Sequence, residues 1–211
     1  MTENKPVIAE KRDVSFDEAF VWIILLTLVA VFSRDISKFM FPGLAQMILA
    51  LVAAFVFLFT KGSAKKFGFT FSRKALKWLG TFILIFGAFY GIILLVMILT
   101  KQTALANADY SGLETILSYM IFAPIAEEIL FRGFLFRALQ RNFKFWFALI
   151  VSAALFAVMH MVWGNVGLQN INHFIGGIVF ALIYVKTRSI FASMILHSLG
   201  NSALIILSLI L

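Results

Sequence analysis

The sequence has no cysteine, only three prolines and few charges. The lack of cysteine excludes a disulfide framework, a thiolate metal site and a cysteine nucleophile. Charged residues are 13% of the 211, about half the ~25% of an ordinary soluble domain. Hydrophobic residues are 62%, and the mean hydropathy is +1.00. A chain this small cannot cover so much apolar material with polar surface. The composition argues against a soluble globular domain, a disordered chain and a nucleic-acid-binding module. It predicts an all-α, polytopic helical membrane bundle. Acidic residues are the scarcer sign, 10 against 18 Lys and Arg, giving a net charge of +8. In a membrane chain that excess points to anionic lipid at the cytoplasmic face before nucleic acid.

Residues 1–18 are polar and hold half of the acidic residues (Glu3, Glu10, Asp13, Asp17 and Glu18). They read as a cytoplasmic tail ahead of a single membrane domain, 19–211. The first apolar run starts at Ala19, late for a cleavable signal and better suited to a signal anchor. Met1-Thr2 offers no myristoylation site. Seven apolar stretches follow, at about 19–33, 39–60, 78–100, 113–136, 145–163, 171–185 and 190–211. A span needs about 20 residues, so about seven transmembrane helices are expected, with an eighth possible. The first and sixth stretches are short for spans. Neither an internal repeat nor an inserted soluble domain is visible. Pro124 lies inside the fourth stretch, where its missing donor is expected to kink the helix.

The links between stretches sort the cations. The tail (Lys5, Lys11, Arg12) and the links at 61–77, 137–144 and 186–188 hold fourteen, against three in the alternate regions. The positive-inside rule then puts the N-terminus in the cytoplasm and the C-terminus outside. The 61–77 link, with Phe67, Phe69 and Phe71 among its cations, is expected to lie along the inner lipid surface.

The remaining cation, Arg132, sits within the fourth stretch with Glu127 and Glu128. An ionised group near the bilayer centre costs about 2.5–3.5 kcal/mol on insertion scales, so these charges must pair, protonate or face a wet cavity. Glu128 and Arg132 are spaced i,i+4 and share a helix face. Glu127 lies about 100° further round and is poorly placed for the same arginine. Arg132 is therefore expected to neutralise Glu128, leaving Glu127 as a carboxylate with a chemical or proton-binding role. The bland alternative is an ion-pair clamp to another helix.

Two of the three histidines also fall in apolar stretches. His160 follows Phe156 by four residues, and His197 precedes Asn201 by four. At about 1.5 Å per residue, Glu127 lies roughly 15 Å from Arg137, His197 roughly 14 Å from Arg188 and His160 roughly 24 Å from Lys144. Helix tilt would be needed to bring His160 level with the others. A carboxylate and a neutral imidazole can polarise one water, and an amide with a second imidazole can donate to an oxyanion. Glutamate with two histidines is also a zinc donor set, although the HExxH spacing is absent.

Three motifs at these positions resemble those of the CPBP (Abi) family of intramembrane proteases, which includes the type II CAAX prenyl endopeptidases. They are EExxxR (Glu127-Glu128 to Arg132), FxxxH (Phe156 to His160) and HxxxN (His197 to Asn201). Phe174 with Gly177 is a looser match to the family's Phe–Gly helix. The resemblance covers about 115–205, the expected catalytic core. It implies a glutamate-type intramembrane endopeptidase with an all-helical core. On that reading Glu127 is the base that activates water with His160, Arg132 holds Glu128 in support, and His197 with Asn201 forms the oxyanion site.

The expected function is thus hydrolysis of a peptide bond near the cytoplasmic membrane face, without metal or other cofactor. The alternatives are a zinc-dependent protease using Glu127, His160 and His197, or a non-catalytic immunity or scaffold protein. The expected partners are a peptide or membrane-protein substrate and anionic lipid, and no nucleic acid. The expected location is a bacterial cytoplasmic membrane. His173, at the start of the sixth stretch and outside the motifs, fits an interfacial role better than a catalytic one. Gly176 and Gly177 are expected to permit close helix packing. Phe156 and Phe174 are expected mainly to pack. Asp35, Asp109 and Glu114 read as solvated link residues.

Overall fold

A computed structural model describes Ile48, residues 51–52, 68–100, 112–163, 167 and 169–210. The polar tail, the first apolar stretch, nearly all of the second and most of the link after Thr100 lie outside the described residues. The described residues contain helices and short links, with no strand.

Helix α1 is Arg73–Thr100. Ser72 caps it, its Oγ accepting the Ala75 N–H at 3.1 Å, which satisfies one of the donors a helix start leaves open. With no proline in its interior, the helix runs for 28 residues. Among the described helices, α1 is long and apolar enough to cross a membrane, and only 11% of its most apolar window is buried. A soluble protein's core helix would be mostly buried. The outer face of α1 instead presents Leu84, Ile85, Ile92 and Leu99.

Helix α2 is a continuous helical run over 113–142 that changes winding along its length. α-Helical Leu113–Leu117 passes into π-helical Ser118–Phe122, α-helical Ala123–Glu128, π-helical Ile129–Phe136 and α-helical Arg137–Asn142. It therefore extends beyond the apolar stretch, and Arg137, expected in a cytoplasmic link, is a buried helical residue. Pro124 explains part of the change in winding. Lacking an N–H, it leaves the Met120 carbonyl without its usual i+4 donor. The Ala123 N–H bonds to Ser118 in the π turn, which frees the Tyr119 carbonyl as well.

Helices α3 (Phe145–Trp163), α4 (Gln169–Thr187) and α5 (Ile190–Ile210) complete the described bundle. α3 contains an apolar run Phe145–Met161 and α5 one at Ile190–Ile206, both shorter than a full span. The most extensive pairing is α3 against α4, and α2 lies against α5. Gly177 sets the first of these. A Cβ on Gly177 would stand 3.0 Å from the Ala153 Cα, so only glycine permits this approach. Gly176 has only ordinary contact with Phe180 of its own helix.

The link from α4 to α5 is short. Its Arg188 has a positive φ of 53°, and the Ile190 N–H donates to the Gly68 carbonyl at 2.8 Å. Phe69 packs edge-on against Phe191, with centroids 5.3 Å apart, so this part of the expected lipid-surface link is docked on α5. Phe71 remains exposed. Lys61 to Phe67 lie outside the described residues.

Candidate active site

The i,i+4 spacing on α2 brings Arg132 Nε to 3.1 Å from Glu128 Oε2, both side chains being fully buried. Arg132 Nη2 also donates to the Gly177 carbonyl at 2.9 Å. The rings of Phe156, Phe180 and Phe131 surround the Arg132 Cζ at 4.9, 5.5 and 5.9 Å. Aromatic faces attract a desolvated cation.

Glu128 has further partners on α5. Ser193 Oγ donates to Oε2, and His197 Nδ1 lies 2.9 Å from Oε1. A carboxylate only accepts, so His197 Nδ1 carries the proton. Glu128 is therefore paired and hydrogen-bonded through both oxygens, which a buried charge requires.

Glu127 is equally inaccessible, 2% exposed, but its Oε2 has no hydrogen-bond partner. That oxygen lies 3.6 Å from His160 Nε2 and 3.7 Å from His197 Nε2, too long for direct hydrogen bonds. His160 Nδ1 lies 2.8 Å from the Phe156 carbonyl of its own helix. A carbonyl also only accepts, so Nδ1 carries the proton and Nε2 of the neutral ring is an acceptor facing Glu127. The expected depth mismatch of His160 is closed in the bundle, because depth counted in residues ignores how helices cross.

Phe156 is fully buried and touches both imidazoles, with centroids 4.6 Å from His160 and 5.7 Å from His197. Asn201 sits one turn beyond His197, but its described contact leads elsewhere. Its Nδ2 donates to the Tyr119 carbonyl at 2.8 Å, and Ser198 Oγ donates to the Met120 carbonyl. These are the two acceptors that the π turn and Pro124 release, recaptured by side chains of α5. Phe174 is partly buried on α4. Of the described link residues, Glu114 is exposed; Asp35 and Asp109 lie outside the described residues.

Sequence reasoning missed Ser193, Phe180 and the placement of His173. Ser193 is four residues before His197, a spacing that could have been read as a shared face. Phe180 lies nearly parallel to His197, at 4.5 Å and 16°. His173 stacks on His160 at 4.0 Å and 24°, which places it beside the cluster. No sequence spacing joins His173 to His160, since they lie on different helices. Glu127 Oε2 and the two Nε2 atoms are zinc-type donors. Among the described residues, however, no group of three or more His, Asp or Glu side chains forms a metal-holding cluster.

The geometry can be set beside known proteins. Residues 110–203 match the family described as type II CAAX prenyl endopeptidase Rce1-like. This span contains every motif residue above. The chain is 32% identical over 89 residues to a Bacillus subtilis (strain 168) protein named "Putative membrane peptidase YdiL", covering 42% of this chain and 35% of that one. The match thus spans about a third of that relative's length. No solved structure matches the chain.

Proposed function

We propose that the protein is an intramembrane endopeptidase that hydrolyses a peptide bond with Glu127 and His160 as the water-activating pair. One observation carries this reading. Of two adjacent buried glutamates, Glu128 has a hydrogen-bond partner at each oxygen, while Glu127 Oε2 is unpartnered and faces two imidazole nitrogens. A buried polar atom without a partner is costly, and a catalytic role gives it a use.

A water held against Glu127 and His160 Nε2 would lose a proton to this pair as its oxygen bonds to the scissile carbonyl carbon. The carbonyl π electrons move onto oxygen. Collapse of the tetrahedral intermediate breaks the C–N bond, and the same proton passes to the leaving nitrogen. His197 can donate from Nε2 to the oxyanion only when doubly protonated, and Glu128 at Nδ1 would balance that charge. Asn201 has two amide N–H groups. One is on Tyr119, so an oxyanion role falls to the second. Arg132 and Phe156 hold Glu128 and the rings in place.

The reaction as proposed needs no metal. The proposed substrate is a peptide or membrane protein, in keeping with the peptidase names of the family and relative. We place the chain in a bacterial cytoplasmic membrane, with about seven spans, its N-terminus inside and its basic links against anionic lipid. The test is cleavage of membrane-protein peptides by purified full-length protein with and without chelator. Cleavage that survives chelator and is lost in Glu127→Ala is expected. Full activity of Glu127→Ala would overturn the role of Glu127. Loss on chelation, with stoichiometric zinc in the protein, would replace the reading with a zinc protease.

A further inference from the structure

Each imidazole of the site has one face covered by a nearly parallel ring. Over His197 this is Phe180, at 4.5 Å and 16°. Over His160 it is His173, at 4.0 Å and 24°. Phe156 meets the same two histidines at steeper angles, 72° and 49°.

The two imidazoles are anchored unequally. His197 is tied to a carboxylate on another helix, and its side chain is 5% exposed. His160 is tied only to a carbonyl of its own helix, and its side chain is 19% exposed. One hydrogen bond at one ring edge leaves rotation about the side-chain torsions open. The covering ring supplies the second restraint.

Bulk alone does not explain a histidine at 173. Its Nδ1 is buried and has no hydrogen-bond partner, a desolvation cost that a phenyl ring would avoid. An imidazole is smaller, and its stack closes to 4.0 Å. A phenyl ring can also cover an imidazole face, as Phe180 covers His197 at 16°, so the aromatic face is the feature that the position requires.

We propose that His173 is a positioning residue: its stacked imidazole holds His160 with Nδ1 on the Phe156 carbonyl and Nε2 turned toward Glu127. Its consequence for catalysis rests on the peptidase reading above; the ring geometry does not.

The chain has three histidines, so nitrogen-15 histidine spectra of the full chain in detergent micelles can be assigned by single substitutions. The wild type is expected to show His160 as a fixed Nδ1–H tautomer. His173→Leu fills the volume without an aromatic face. In that variant the His160 signals should move toward a tautomer average while those of His197 stay in place, reporting an intact bundle. His173→Phe should restore part of the fixed tautomer. An averaged His160 in the wild type, or an unchanged His160 in His173→Leu, would overturn the proposal. In peptide cleavage His173→Leu should lower kcat on the order of tenfold and leave KM unchanged. Persistent cleavage by Glu127→Ala would remove the peptidase mechanism but leave the spectral result standing.

Discussion

Glu127 and Glu128 are adjacent in the chain and almost equally buried, at 2% and 0% exposed, yet their surroundings are opposite. The Glu128 side of α2 is a closed network of Arg132, Ser193 and His197. The Glu127 side has an oxygen with no partner, facing His160 and His197. The difference separates holding from reacting. A buried carboxylate with a partner at each oxygen can stabilise a fold and orient a neighbour. One with an open oxygen beside a proton acceptor can take part in proton transfer. His197 links the two sides, with Nδ1 on Glu128 and Nε2 toward Glu127.

Single substitutions on the two sides should give different failures. Glu127→Gln should lower peptide cleavage by about 10²–10⁴-fold, the usual contribution of a general base, with the melting temperature of the purified protein unchanged. Unfolding of that variant would erase the distinction between the glutamates. Glu128→Gln strands Arg132 as a buried, unpaired cation and should destabilise by about 3–5 kcal/mol. Size-exclusion yield and thermal unfolding report that loss. The double variant Glu128→Gln with Arg132→Met should recover much of the stability, because it removes both charges; equal loss in single and double variants would show that the pair is not the unit.

Smaller effects sharpen the same contrast. Ser193→Ala should cost about 1.5–3 kcal/mol, the range for a hydrogen bond to a charged group, measured as a lower melting temperature. Gly177→Ala should cost about 1–3 kcal/mol by overpacking, because the added Cβ meets Ala153 at 3.0 Å. It should also displace the carbonyl that receives Arg132. A stability unchanged from wild type would show that α3 and α4 can part without disturbing the guanidinium.

Several parts of this arrangement were legible in the chain. The Glu128–Arg132 pair follows from i,i+4 spacing, and the contact of Phe156 with His160 follows from the same rule. The helix expected at 145–163 is observed at Phe145–Trp163. The fourth apolar stretch did not reveal its changes of winding, because hydropathy does not record hydrogen-bond register. Pro124 was visible as an irregularity. That its freed acceptor is met by Ser198, and the neighbouring Tyr119 carbonyl by Asn201, depends on where α5 lies. The contact of His173 was not legible because its partner lies on α3, and the stack depends on how that helix meets α4.

Composition by itself pointed to a chain suited to lipid, and the spacing along α2 determined which glutamate could reach Arg132. Both follow from local physics: the cost of burying charge and the period of a helix. Only the tertiary structure decided which carboxylate oxygen stays open. Glu128 is filled by Ser193 and His197, which lie 65 and 69 residues away in sequence. Their approach is set by how α5 crosses α2, which is not written in the period of any one helix.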